Sequence, residues 1–253
     1  MFHRATQRLF LAFTALCWLN GATVWAQDPV FSQYYAAPLN MNPAFTGSTS
    51  DPKVSLNYRN QWPGIQQAYV TTAASYDQFI PYINSGVGVS VLADNAGRGL
   101  YKTTNLNLHY AYKVQFRNGW QMRMGIQTGI INSRVDWSQL VFLDQLDPEF
   151  GATSPGGIPY PTDEVPPEGG NGLTVLDVST GFLVFNELFY GGLALKHLNT
   201  PEFSFLHVNS DLLRGLPVTW SMHAGAEIDL LQLGGVGKAF MAPGVQFVQQ
   251  GEQ

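Results

Sequence analysis

Residues 233–238, with the sequence L-G-G-V-G-K, have the glycine content and terminal lysine of a phosphate-binding loop. Such a loop also needs a glycine at the position of Gln232 and a serine or threonine at the position of Ala239. Neither requirement is met. Because the hydroxyl group that would bind magnesium is missing, we interpret the stretch as a turn between two strands.

A hydrolytic site would need a nucleophile next to a base. Ser179 or Ser221 near His223 could supply that pair, but the sequence contains neither a G-x-S-x-G elbow nor an H-E-x-x-H motif. His109 and His223 fall on the polar faces of predicted strands, so we interpret them as hydrogen-bonding residues inside the fold. We therefore predict a protein without catalytic residues, cofactor or bound metal.

Carboxylates are concentrated in one part of the chain. Nine acidic residues and no lysine or arginine lie between residues 136 and 194, and the prolines and glycines of 155–170 prevent regular structure there. We predict one long acidic loop over 132–174. Loops of this length are commonly functional or disordered, so a partner-binding surface and a solvated hydrophilic loop both remain open. Calcium binding by Asp144, Asp147 and Glu149 is a third alternative, although their spacing is not that of an EF-hand.

The first 26 residues have the features of a secretory signal peptide. Arg4 and Arg8 flank the start of an apolar run that is too short to span a bilayer, and V-W-A at 24–26 provides the small residues of a cleavage site. The single cysteine, Cys17, lies inside that run. The mature chain is therefore predicted to have no thiol, as suits an oxidising compartment.

The composition of the remaining chain restricts its class. Without Arg4 and Arg8, 11 basic residues stand against 18 acidic ones, a balance that argues against binding nucleic acid. Only 12% of the residues are charged, about half the usual fraction, while glycine and aromatic residues are plentiful. These features favour β-structure with both faces occupied, in either a transmembrane barrel or a soluble sandwich.

Alternation of polar and apolar residues decides between these two classes. Over Asn105–Gln115 one face is apolar and the other polar without interruption, which is about the length of a membrane-crossing strand. Asn118-Gly119 then predicts a tight hairpin turn, and the alternation resumes in the return strand. The residues predicted to face lipid are Leu106, Leu108, Tyr110, Tyr112, Trp120, Met122, Met124 and Ile126.

Weaker copies of this pattern give eight to ten predicted strands. Short turns at 118–119 and 186–187 contrast with the long loop 132–174, as in outer-membrane barrels. The predicted fold is therefore all-β: an antiparallel transmembrane β-barrel of the outer-membrane type over residues 53–253. Because the sequence after Val248 lacks the aromatic end of such barrels, we expect the barrel to be C-terminally incomplete in this chain. A passive outer-membrane porin or solute channel is one function that fits.

The residues before the first predicted strand have neither helical nor strand periodicity. Residues 27–52 form an irregular segment rich in proline, amides and aromatic rings, and we expect Pro29, Pro38 and Pro43 to keep it extended. We predict that this segment is a plug or docking strip that packs against the lumen of the barrel or its periplasmic mouth. Simple filling of the lumen, without a partner, is the alternative.

The same segment carries a family resemblance. Q-D-P-V-F-S-Q-Y at 27–34 and P-L-N-M-N-P-A-F-T-G-S at 38–48 resemble the N-terminal signature of the PorP/SprF family of type IX secretion system outer-membrane proteins of Bacteroidetes. Further matches follow in order: V-D-W-S-Q-L-V-F at 135–142 with Asp144-Gln145, K-H-L-N-T-P at 196–201 and A-P-G-V at 242–245. The resemblance covers nearly the whole mature chain.

This resemblance implies a non-enzymatic β-barrel in the bacterial outer membrane that supports the export or surface attachment of adhesin-type substrates. The implied partners, besides outer-membrane lipid, are periplasmic type IX secretion components, a peptidoglycan-linked lipoprotein and the C-terminal domain of an exported adhesin. If the long acidic loop is a partner-binding surface rather than a solvated loop, an exported substrate is its expected partner. The residues expected to bind partners are Asp28, Pro29, Phe31, Tyr34, Pro38, Asn42, Pro43, Phe45, Asp136, Asp144 and Gln145.

Overall fold

The computed structural model describes residues 31, 33–65, 68–165, 172–203, 215–233 and 237–250. The predicted signal peptide lies outside these residues. Eleven strands are found within them: β1 Lys53–Gln61, β2 Tyr69–Ile80, β3 Ser85–Ala96, β4 Tyr101–Gln115, β5 Gln121–Val135, β6 Gly172–Phe185, β7 Phe189–Lys196, β8 Thr219–Ala226, β9 Ile228–Leu233, β10 Gly237–Met241 and β11 Gly244–Gln250.

Nine of these strands form one antiparallel sheet. Their order is β1-β2-β3-β4-β5-β6-β7-β8-β11, and the sheet curls into a half-barrel. The short strands β9 and β10 pair with each other outside this sheet, which raises the total above the eight to ten strands predicted. In the described part of the chain β1 and β11 are the two edges of the sheet and are not paired with each other.

The hairpin of β4 and β5 follows the predicted pattern. Each strand has fifteen residues, and the register pairs Tyr110 with Ile126 and Gln115 with Gln121. β4 begins at Tyr101, four residues before the predicted start, because alternation continues through a threonine pair that favours strand structure. Trp120 lies just before β5, where its carbonyl accepts a hydrogen bond from the Phe116 amide at 2.9 Å.

The connections differ in length at the two ends of the sheet. At one end, tight turns join β2 to β3, β4 to β5, and β6 to β7. In the last of these, the Asn186 side chain accepts from the amides of Leu188 and Phe189 at 2.9 and 2.6 Å. At the opposite end, residues 136–171 join β5 to β6 and 197–218 join β7 to β8, while β1–β2 and β3–β4 have the shorter connections 62–68 and 97–100. The longer connection at the tight-turn end, residues 227–243 between β8 and β11, contains β9 and β10. The acidic loop is thus shorter than the predicted 132–174, because both flanking strands run further than expected.

The two faces of the sheet have different chemistry. On the concave face, which we call the inner face, polar side chains such as Asp77, His109 and Arg123 are buried. On the outer face, large apolar side chains such as Leu56, Tyr58 and Leu108 are exposed. None of the helices formed by the described residues is both long enough and apolar enough to cross a membrane.

The residues predicted to face lipid lie on this outer face. Leu106, Leu108, Tyr110, Tyr112, Met124 and Ile126 are exposed, and Trp120 and Met122 are half-buried. The exposure of these rings and aliphatic chains is what a lipid-facing band requires. Their contact with lipid itself stays a prediction.

Candidate functional site

The N-terminal segment 36–47, here called the strip, lies against the inner face of the sheet. At its start, Asn57 on β1 donates a hydrogen bond from its side-chain amide to the Ala36 carbonyl at 3.2 Å. Midway, Asn42 reaches β6 and β7, and at the end the Gly47 amide donates to the Asp77 carboxylate on β2 at 2.7 Å. The hydrogen bonds of the strip therefore reach strands from β1 to β7 across the inner face.

The strip is folded into helical turns, so the prediction that its prolines keep it extended is wrong. Helix α1 spans Pro38–Met41, and a 3-10 turn spans Pro43–Phe45. Each begins with its proline at the first helical position, where the missing N–H has no partner to lose and the fixed φ suits the turn. Pro29, the third residue in that prediction, lies outside the described residues.

Asn42 is the central polar contact of the strip. Its side chain is fully buried and donates to the carbonyls of Phe182 and Leu193 at 3.1 and 3.0 Å. Its side-chain oxygen accepts from the Ala44 amide at 2.8 Å and so caps the second turn. Because Phe182 and Leu193 are paired across β6 and β7, one side chain ties the strip to both strands.

Three glycines make room for the strip on the inner face. A Cβ atom at Gly125 on β5 would collide with the Ala44 backbone, and one at Gly181 on β6 would collide with the Asn42 side chain. A Cβ atom at Gly86 on β3 would collide with the Thr46 carbonyl. Glycine inside a strand commonly marks the close approach of another backbone, and these three positions form the seat of the strip.

Two buried charged residues hold the end of the strip. Arg123 on β5 donates from its guanidinium group to the Thr46 carbonyl at 2.7 Å, next to the bond between Asp77 and the Gly47 amide. Both side chains are only 2% exposed, and they attract each other electrostatically. The strip thus gives the buried guanidinium group a carbonyl acceptor and the buried carboxylate an amide donor.

Replacing Asn42 with alanine is expected to lower the free energy of unfolding by about 2 kcal/mol, because two buried carbonyls lose their donor. The measurement is urea unfolding of the detergent-solubilised chain. Asn60→Ala, at an exposed position on β1, is the matched control and should change stability by less than about 0.5 kcal/mol. Equal effects of the two substitutions would contradict the role given to Asn42.

A second polar cluster lies further along the inner face. The Asp177 carboxylate lies 2.8 Å from His197 Nδ1 and accepts from the Ser179 hydroxyl at 3.3 Å. The Ser90 hydroxyl lies 2.8 Å from His109 Nε2. Ser179 bonds to a carboxylate rather than to an imidazole. Ser90 does contact an imidazole, but His109 Nδ1 has no hydrogen-bond partner among the described residues, so no group there orients the ring as the third member of a catalytic triad does.

Ser221 is not paired with His223, since neither ring nitrogen of His223 has a hydrogen-bond partner among the described residues. The His223 ring packs 5.4 Å from the Phe45 ring and 6.3 Å from the Tyr190 ring. It therefore serves as a packing surface under the strip. Over the residues with described placement, no group of three or more His, Cys, Asp or Glu side chains is arranged to bind a metal, and this includes the three carboxylates considered for calcium.

The long loop is held by its own carboxylates and amides. Asp136 accepts from the Ser138 and Gln139 side chains at 2.6 and 2.7 Å, and the Trp137 ring stacks on Phe142. Gln145 donates to the Tyr160 carbonyl at 2.7 Å. Asp144 accepts from the Thr162 hydroxyl and the Asp163 amide, each at 2.8 Å. These bonds join segments 142–145 and 160–163.

Protonation of Asp144 is expected to break the hydrogen bonds that join segments 142–145 and 160–163. The Asp163 amide and then the Thr162 hydroxyl stabilise its carboxylate and lower its pKa below the ordinary value of 3.8. A lowered pKa means that the bonds are fully present above that ordinary value and are lost as the pH falls through the lowered one. Hydrogen exchange at the Asp163 amide should therefore accelerate in Asp144→Asn at neutral pH and stay slow in Glu149→Gln. Equal exchange in both variants would contradict this assignment.

The structure divides the predicted partner-binding residues into two places. Pro38, Asn42, Pro43 and Phe45 belong to the strip, and Pro38, Asn42 and Pro43 are buried there, whereas Asp136, Asp144 and Gln145 lie in the long loop at the other end of the strands. Phe31 is half-buried, and Tyr34 belongs to a 3-10 turn at Tyr34–Ala36. Asp28 lies outside the described residues. Partner binding by any of them stays a prediction.

Sequence reasoning missed the residues that receive the strip. Arg123, Asp77, Gly125 and Gly181 all lie on inner-face positions of strands. Two sequence signals pointed to these residues. One is a charged residue on the polar face of an alternating strand, and the other is a glycine within a strand. Neither signal identifies the strip as the group that these residues contact.

These features define a class of protein. An all-β antiparallel sheet with exposed apolar residues on its outer face and buried polar residues on its inner face is typical of β-barrel membrane proteins. Residues 24–253 match the family model described as type IX secretion system membrane protein PorP/SprF. The chain belongs to the PorP/SprF family, which is a family of secretion-system components rather than of enzymes. Searches of curated proteins and of solved structures found no match.

Proposed function

We propose that this chain is a non-enzymatic outer-membrane component of the type IX secretion system that supports the export or surface attachment of adhesin-type substrates. Family membership supports a role in this secretion system. The observation that carries the proposal is the strip seated across the inner face, since it occupies part of the space that a solute channel would need open. The exposed apolar outer face supports contact with outer-membrane lipid.

The two ends of the sheet suggest how the protein faces its partners. Barrels of the outer membrane place short turns in the periplasm and long loops outside the cell. By this rule the long loop 136–171 faces the cell exterior, where it would contact the C-terminal domain of an exported adhesin. The tight-turn end, where the chain leads from the strip into β1, would contact periplasmic secretion components and a peptidoglycan-linked lipoprotein.

Exposed apolar residues within the acidic loop are the expected contacts for the adhesin. Leu143 is 84% exposed and Val165 is 76% exposed, and carboxylates surround both in the sequence. The double substitution Leu143→Asp/Val165→Asp should reduce co-purification of the adhesin domain by about tenfold or more, because buried apolar anchors dominate interfaces. Tyr82→Asp, at an exposed aromatic residue of the tight-turn end, is the control and should leave co-purification unchanged.

Undiminished co-purification with the Leu143→Asp/Val165→Asp variant would contradict the contact assigned to the loop. Conductance in planar bilayers separates secretion from the porin alternative. With the strip in place, the reconstituted chain should show no stable open channel. Steady ion conductance by the chain with its strip intact would instead favour the porin.

A further inference from the structure

An apolar groove opens at the tight-turn end of the inner face. Its volume is about 270 Å³, and it lies between the strip and the hairpin of β6 and β7. Phe45 of the strip forms one wall, while Leu183, Phe185 and Tyr190 of the hairpin form the other. Pockets for drug-sized ligands have volumes of about 300 Å³ or more, so this smaller groove suits one large apolar side chain.

The rim of the groove is held by backbone hydrogen bonds and is therefore formed in advance. The Glu227 amide donates to the Leu188 carbonyl at 2.8 Å, and the Ala226 amide donates to the Pro243 carbonyl at 3.0 Å. The Asn186 side chain fixes the turn from the other side. A ligand would not have to order these segments, and preorganisation of this kind favours binding.

The charge on the rim is of one sign. Glu187 and Glu227 line the groove, and no lysine or arginine does so among the described residues. Both carboxylates are exposed. In the described part of the chain, neither makes a side-chain hydrogen bond or an ion pair. Two unpaired carboxylates beside an apolar groove would attract a cationic segment and repel an acidic one.

We propose that this groove binds a partner protein through one aromatic or large aliphatic side chain flanked by lysine or arginine. The apolar residue would enter between Phe45 and Tyr190, and the flanking cations would pair with Glu187 and Glu227. The position of the groove at the tight-turn end makes the partner a periplasmic one, and that part of the inference rests on the proposed function. Because Phe45 belongs to the strip, the partner would contact the strip and the sheet together.

Three acetylated and amidated peptides test this site on the purified full chain in detergent: Gly-Lys-Trp-Lys-Gly, Gly-Glu-Trp-Glu-Gly and Gly-Lys-Ala-Lys-Gly. The first should bind measurably by calorimetry, and the other two should bind at least about tenfold more weakly. Glu187→Lys/Glu227→Lys should weaken the first peptide by a similar factor and should tighten the second. The matched control, Glu149→Lys/Glu164→Lys, changes the same number of charges in the long loop and should change neither affinity.

Equal binding of the three peptides, or an unchanged affinity in the Glu187→Lys/Glu227→Lys variant, would overturn the proposal. A folded barrel-type protein migrates differently on a gel before and after heating. If the variant keeps this difference, it is folded, and its loss of peptide binding is due to the change in the groove. The outcome is independent of the adhesin assay. Undiminished adhesin co-purification with the Leu143→Asp/Val165→Asp variant would count against the loop contact and leave the groove standing. Equal binding of the three peptides would instead remove the groove alone.

Discussion

Replacing Gly125 with valine is expected to lower the free energy of unfolding by about 3 kcal/mol, the upper end of the cost of overpacking a buried site. The new side chain would begin where the Ala44 backbone lies. The strip cannot move aside easily, because Asn42 and Thr46 are hydrogen bonded on either side of this contact. Because a small shift cannot relieve the collision, we expect the strip to detach from the inner face while the strands remain paired.

Two measurements check this result. Urea unfolding gives the loss of stability, and hydrogen exchange over residues 38–47 reports whether the strip has left the sheet. Gly191→Val is the matched control, because a Cβ atom at Gly191 on β7 would meet no other atom within 4 Å. If Gly125→Val and Gly191→Val were equally stable and equally protected, the strip would not be seated on Gly125.

Replacing Arg123 with methionine is expected to lower the free energy of unfolding by about 3 kcal/mol, the upper end for losing a hydrogen bond to a charged group, because the Thr46 carbonyl loses its guanidinium donor. The buried Asp77 carboxylate would also lose one of the two cations, Lys53 and Arg123, whose charges attract it. The double substitution Arg123→Met/Asp77→Leu should be less destabilising than Arg123→Met alone, because removing both charges avoids an uncompensated one. Gly47 would still lose its acceptor, so full recovery is not expected.

Arg134→Met serves as the control for this series. Arg134 lies on the same strand but is exposed, and its replacement should change stability by less than about 0.5 kcal/mol. The measurement is again urea unfolding in detergent, completed as a double-mutant cycle. A cost for Arg123→Met no larger than that for Arg134→Met would show that Arg123 does not hold the strip.

The sheet could be predicted largely from local pattern. Period-two alternation in β4 and β5 specifies which side chains share a face, and Asn118-Gly119 specifies the turn between them. Both signals act over a few neighbouring residues, so no knowledge of the rest of the fold is needed. The same reasoning separated the tight turns from the long loop.

The conformation of the strip could not be predicted in this way. Asn42 contacts Phe182 and Leu193, which are 140 and 151 positions away in the sequence. Local sequence preference indicates that proline is unfavourable inside a helix. It could not show that Pro38 and Pro43 each stand at the start of a helical turn. Long-range contacts therefore decide the structure here, and the sequence motif alone shows only that the segment is distinctive.

Cysteine labelling at Thr46 is the most direct test that the strip is seated on the inner face. Thr46 is fully buried and Thr49 is exposed, and Cys17 would be changed to serine in both variants. In the folded chain, we predict that Thr46→Cys reacts with a maleimide at least about a hundredfold more slowly than Thr49→Cys, as a local opening free energy of about 3 kcal/mol implies. Both should react alike in denaturant. Equal labelling rates in the folded chain would contradict the seated strip.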